Sequence, residues 1–231
     1  MSTKLFAYSL ILVWLAALNG LWASDDDLIP SQFPKNQRDN LRRFLEQHNK
    51  PDRYMPQDAR IIGAPSADET AAEQTPGKPV KQYTVQIVPH RPIPGHEQVT
   101  RADVYYYRPN PVKGKPGITV RYTVDLTNGS QSGPTEVLLN HHTPVSHEEL
   151  EEAVALAREK SPAVQELYKH HDSGQVHWEY LQMFVSRKHD PHEPGDRVVR
   201  LTFTAQARRN ENTQRPISAV VNLTKGIVVA P

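Results

Sequence analysis

The stretch ITVRYTVDLTNG, Ile118 to Gly129, decides how this chain must be folded. Ile118, Val120, Tyr122, Val124 and Leu126 alternate with Thr119, Arg121, Thr123 and Asp125, and five apolar residues in strict alternation require one buried and one wet face. Asn128-Gly129 then supplies a tight turn. A strand of this kind belongs to an antiparallel sheet with one face to cover, and a helix is the element that covers it.

Working outward, the same period of two recurs. Tyr83, Val85 and Ile87 make a strand that stops at Pro89, and a second runs through Val104 and Tyr106 with Tyr105 and Tyr107 on the opposite face. Thr135 to Leu139 reads as a return strand. Later, Val176 to Val185, then Val199 to Ala207, then Ile217 to Leu223 give three more. Two segments have helical spacing instead. Leu41, Phe44 and Leu45 recur at i, i+3 and i+4 between Pro34 and Pro51, leaving Arg38, Arg42, Arg43 and Glu46 outside. Ser146 to Glu149 is a capping box, with Val145 and Leu150 at the positions of a hydrophobic staple. The helix it starts carries Leu150, Ala153, Val154 and Ala157 on one stripe, and Ser161-Pro162 restarts a further turn through Val164, Leu167 and Tyr168.

Tyr122-Thr-Val-Asp-Leu-Thr-Asn-Gly129 aligns with Ala219-Val-Val-Asn-Leu-Thr-Lys-Gly226, and at nearly the same offset Gln86 aligns with Gln182 and Pro94-Gly95 with Pro194-Gly195. The expected fold class is therefore α+β, with two tandem units, each a helix packed on an antiparallel sheet. The expected division is a signal peptide over 1–24, a short helical segment over 25–50 and a flexible Pro-rich linker over 51–80. The strands of a first α+β unit follow over 81–141, and a second unit, helix then strands, over 142–231. The linker assignment rests on five prolines (51, 56, 65, 76, 79) around a single aromatic, Tyr54, a composition that buries too little surface to offset chain entropy.

Composition narrows the function classes. The chain has 231 residues, 27 basic against 26 acidic, a net charge of +1, no cysteine and 20 prolines. Near-neutral charge without a concentrated basic face argues against a nucleic-acid partner. With no cysteine there are no disulfides and no thiolate chemistry. Lys4, the apolar run LFAYSLILVWLAAL and the small residues Ala23 and Ser24 have the layout of a cleaved signal peptide, which places the protein in a secreted or periplasmic location. The alternative is an uncleaved anchor, since Leu5 to Ala23 is just long enough to span a bilayer, and membrane attachment is expected only in that case.

Three segments carry a family resemblance: ADVYYYRP…VRYTVDLTNG (Ala102 to Gly129), HTPVSHEELEEAVALARE (His142 to Glu159) and VVNLTKGIVV (Val220 to Val229). Together they resemble the small second and third amino-terminal domains of copper amine oxidases, over roughly Lys81 to Pro231. The resemblance implies a cystatin-like α+β fold for each unit, and in the family's order the catalytic β-sandwich would begin after Pro231. It carries no catalytic residue across, because the family's cofactor tyrosine in T-x-x-N-Y-D/E and its H-x-H copper pair have no counterpart in this sequence. Neither a catalytic residue nor a cofactor is therefore expected.

The residue types that remain are histidines, tyrosines and sequons. Imidazole is the commonest metal ligand, and eight of the eleven histidines fall in clusters, 141, 142 and 147, then 170, 171 and 177, then 189 and 192. His189, His192, His141 and His142 are the candidate ligands, against the plainer reading of solvent-exposed loop histidines. Glu148, Glu149, Glu151 and Glu152 read as a solvated first turn that complements the helix dipole. Tyr105 and Tyr107 are candidate contact residues on an exposed sheet face. Asn128-Gly-Ser130 and Asn222-Leu-Thr224 fit the glycosylation sequon. The expected role is a non-catalytic exported module that binds a protein partner or self-associates. A detached part of an amine oxidase system is the alternative, and a cystatin-like protease inhibitor the next.

Overall fold

The computed structural model describes residues 28–63, 80–91, 98–139, 141–185, 188, 190–205 and 215–229. The expected signal peptide over 1–24, the greater part of the Pro-rich stretch, Pro94-Gly95 and His189 lie outside the described residues.

The fold is mixed α+β, with two sheets. Helix α1 (Lys35–His48) precedes β1 (Arg60–Ile62), β2 (Tyr83–Pro89), β3 (Arg101–Arg108), β4 (Ile118–Asp125) and β5 (Glu136–Leu138), which assemble in the order β1-β5-β4-β3-β2. Helices α2 (His147–Lys160) and α3 (Pro162–His170) precede β6 (Val176–Phe184), β7 (Arg197–Ala205), β8 (Ile217–Asn222) and β9 (Ile227–Val229), in the order β6-β7-β8-β9. Helix followed by an antiparallel meander thus occurs twice. The two D/N-L-T-x-G turns end strands in the same place, third of each meander, and Gly129 and Gly226 both take positive φ. At Gly129 a side chain would also meet the Asn40 carbonyl oxygen at 3.0 Å, so the turn is held to glycine by backbone and by space. Among the described residues no helix is long and apolar enough to cross a membrane.

Helix α1 has no side-chain cap, so its packing must hold it. Leu41, Phe44 and Leu45 are buried against Val104, Tyr106, Val120, Tyr122 and Val124 of the first sheet. Asn40 fixes the helix to the β4 turn by donating to the carbonyls of Leu126 (3.0 Å) and Thr127 (2.9 Å). The second core is separate. It packs Leu150, Ala153 and Ala157 of α2 and Val164 and Leu167 of α3 on Val199, Leu201, Phe203, Ala219 and Val221. The α2 capping box forms as expected, with Val145 and Leu150 buried beside it.

Three expectations are corrected. The first sheet is not purely antiparallel, because β1 pairs parallel with β5, Arg60 opposite Glu136. This strand comes from within the supposed linker, whose first part is packed: Tyr54 is buried in the first core, and Arg108 binds the carbonyls of Arg53 and Tyr54 at 2.9 Å each. Composition missed this because one buried aromatic and two captured carbonyls suffice to hold a short segment. The helix assigned to a separate segment over 25–50 in turn shares the core of the first sheet and covers it.

Because Phe44 and Phe203 are fully buried in different clusters, replacing either by alanine is expected to cost about 3–5 kcal/mol. The two losses should add to within about 0.5 kcal/mol in the double variant, measured by urea unfolding. A large coupling would show that the cores are energetically one.

Candidate functional site

The two halves meet around one arginine. Arg197 opens β7, and its guanidinium donates through Nε to Glu149 Oε1 (2.7 Å) and through Nη2 to Glu149 Oε2 (2.6 Å), a bidentate pair almost wholly out of water. Its remaining donors reach the Thr143 carbonyl (2.9 Å), the Thr143 hydroxyl (3.2 Å) and the Pro144 carbonyl (2.8 Å). Glu149 is also the capping-box residue, accepting the Ser146 amide at 2.9 Å. The first sheet joins through Tyr107, whose ring lies 4.0 Å beneath the guanidinium carbon. Burial pushes the Tyr107 phenol up to about 12, so it stays protonated across the physiological range.

Gly117 makes this approach possible. A Cβ there would stand 2.6 Å from the Tyr107 ring and closer still to the Arg108 carbonyl oxygen. A second bridge lies alongside, where Glu152 of α2 takes the Tyr83 hydroxyl at 2.9 Å and pairs with Lys81. Burial and the neighbouring Glu152 hold the Tyr83 phenol well above its ordinary value. Between these bridges a cleft of about 260 Å³ opens, lined by both tyrosines, Pro109, Pro111, Lys113 and Thr224 among others. Its charged walls are largely committed to each other, Arg197 to Glu149 and Lys81 to Glu152.

Glu149 therefore departs from the expected solvated face. Glu148, Glu151 and Glu152 are exposed, but Glu149 is buried because the capping box turns its carboxylate inward, where Arg197 meets it. The capping box was the available signal for Glu149. Nothing in the sequence around Arg197 marks it as its partner.

Among the described residues the candidate ligands have separate contacts. His141 stacks on Tyr105 with centroids 5.9 Å apart, and His142 sits edge-on to Phe184 at 5.0 Å. His192 faces the Asn222 amide at 3.1 Å, and His189 lies outside the described residues. Among the described residues no group of three or more histidines, aspartates or glutamates is arranged to hold a metal ion. Burial lowers the His141 and His142 imidazoles, and for each a positive neighbour adds to it, His142 and Arg121 in the first case and Arg197 in the second.

Tyr107 is corrected as an exposed contact residue, since the second sheet's Arg197 covers it. Tyr105 is half-buried against His141 and hydrogen-bonded to Arg121. Asn222 is corrected as a glycosylation site. It is fully buried, and its amide donates to Asp196 Oδ2 at 2.7 Å, so no glycan fits on that nitrogen. Asn128 is exposed in its turn.

The surface that sequence reading missed is strand β6. Tyr180, Leu181 and Phe184 are exposed at 37%, 38% and 47%, half of the large hydrophobics so exposed among the described residues. The strand is the edge of its sheet; its first amide, that of Val176, donates to the Ser173 carbonyl, and among the described residues no backbone bond from outside the sheet is found along 178–184. The signal was present in the unalternating run Tyr180-Leu181, which places apolar side chains on both faces.

Removing one member of the buried pair, as in Glu149→Gln or Arg197→Met, is expected to destabilise by about 3–5 kcal/mol, and Arg197→Met with Glu149→Leu to recover much of that loss. Both imidazoles should titrate below about 6.5 by proton NMR. Because their folded values are lowered, the associated stability is present above the unfolded midpoint and is lost as pH falls through the folded ones.

A scan against protein-family models and a search of curated proteins each return no match to this chain.

Proposed function

We propose that the protein is a non-catalytic, exported module of two tandem cystatin-like units that binds a protein partner or assembles with itself. The observation that carries this reading is the bare apolar edge of β6. Along 178–184 the outer side of the strand has no backbone partner among the described residues, and with Tyr180, Leu181 and Phe184 exposed beside it this edge has the chemistry of a strand-pairing surface. The inter-sheet polar cluster supports it from the other side, because Arg197, Glu149 and Thr143 are spent on one another and leave no base beside a nucleophile. Two helix-plus-meander halves with equivalent glycine turns support the tandem reading, as does the resemblance to amine oxidase amino-terminal domains. Export rests on the layout of residues 1–24.

Two measurements test it. Purified protein given primary amines and copper is expected to release no hydrogen peroxide above a copper-only blank. Copper-dependent turnover that persists through purification and is lost when His141 and His142 are replaced would overturn the non-catalytic reading. Photo-crosslinkers at positions 181 and 184, used in the native exported fraction, are expected to give protein adducts that a crosslinker at exposed Val112 does not. Equal labelling at all three positions would remove β6 as the contact element.

A further inference from the structure

The cleft between the two inter-sheet bridges is walled by four cations, Lys81, Lys113, Lys115 and Arg197, against two carboxylates, Glu149 and Glu152. Both carboxylates are engaged. Glu149 takes Arg197 on its two oxygens, and Glu152 takes Lys81 and the Tyr83 hydroxyl. Lys113 stands outside this pairing, with no carboxylate partner among the described residues. Its stem lies along the turn between β8 and β9, where Cε is 3.8 Å from the position a Cβ on Gly226 would take. In the same turn the Thr224 hydroxyl accepts the Arg197 amide at 2.8 Å, and its own hydrogen has no acceptor among the described residues. The capacity left in the cleft is therefore a positive charge and a hydroxyl donor, with each carboxylate already neutralised by its own cation.

We infer that this cleft binds a small organic oxyanion, a carboxylate or a phosphate monoester on a compact apolar body. Lys113 and Thr224 hold the anionic oxygens. Tyr83, Pro109, Pro111 and Leu223, which also line the cleft, cover the body. Apolar walls with a few convergent polar groups are the form of a small-molecule site, and a volume of about 260 Å³ has room for one such molecule rather than a length of chain. The loop that carries Lys113 is fixed before any ligand arrives. Asn110 donates to the Pro116 carbonyl at 3.1 Å and accepts the Val112 amide at 2.9 Å, and the Gly114 amide reaches across to the Thr224 carbonyl at 3.2 Å. That last bond ties the lysine and the hydroxyl to one another, so little freedom is lost when both close on an anion. The inference is independent of the contact edge at β6.

Titrations of the purified full chain at low salt, read as backbone amide shifts, test it. Sodium benzoate and phenyl phosphate are expected to shift the Gly114 and Thr224 amides, and neutral benzyl alcohol to leave them in place. Inorganic phosphate, which has no apolar body, should bind about tenfold more weakly than phenyl phosphate. The tighter of benzoate and phenyl phosphate identifies the source of the oxyanion. Lys113 is exposed, so Lys113→Met should keep the fold while weakening that probe about tenfold, and Lys113→Arg should restore most of the loss. Lys169→Met, at an exposed position on α3, should change nothing. Raising sodium chloride to about 1 M should weaken binding further, by screening the charge. Benzyl alcohol binding as well as benzoate, inorganic phosphate as well as phenyl phosphate, unmoved Gly114 and Thr224 amides, or full affinity in Lys113→Met would each overturn the inference.

Discussion

The buried pair of Arg197 and Glu149 is the constraint on which the rest of the molecule depends. An arginine this far out of water would be costly without full pairing, and all its donors are engaged, by one carboxylate, two carbonyls and a hydroxyl. Each engagement fixes a different part. Glu149 sets the start of α2, Thr143 and Pro144 set the path by which the chain leaves the first sheet, and the cation over Tyr107 sets where that sheet sits. One side chain thereby determines a helix, a connection and an interface. A hydrophobic substitute of similar volume could match its stability and would not specify the same three geometries.

The first half contains a related solution with a different partner set. Arg108 is also buried, yet it binds the Gln82 side chain at 2.6 Å and the Arg53 and Tyr54 carbonyls rather than a carboxylate. Burial lowers its guanidinium from the ordinary value, and the largest compensation comes from the Tyr122 hydroxyl. In both halves an arginine at a strand end captures the carbonyls of an incoming segment. The captured segment is what differs: 53 and 54 lead to the parallel strand β1, whereas 143 and 144 lead directly into α2.

How much of this the sequence disclosed follows from the range of the forces involved. The strand Ile118 to Asp125, the capping box at Ser146 and the paired glycine turns are local patterns, and they appear where local reading places them. The failures involve pairing across long separations. Tyr107 looked like an outward side chain because alternation assumes a single covered face, and nothing local reveals that Arg197 lies over the other. Asn222 satisfied a three-residue sequon while its amide was committed to Asp196. Residues 53 and 54 belonged to a disordered-looking composition and are nonetheless held by an arginine from β3.

The same contrast explains why the polar centre and the apolar edge have different roles. A binding surface must have unsatisfied capacity, and at the centre that capacity has been consumed: the arginine, the carboxylate and the tyrosine face one another. At β6 it remains, since along 178–184 the outer side of the strand has no backbone partner among the described residues and Tyr180, Leu181 and Phe184 stand in water. Burying polar groups around Arg197 holds the two sheets in a fixed relation and leaves the edge of the second displayed at a defined angle to the first. A rigid scaffold that presents a bare strand loses little freedom when that strand is paired. On the proposed reading of β6 as a contact edge, the polar junction would act on association through preorganisation rather than by contact.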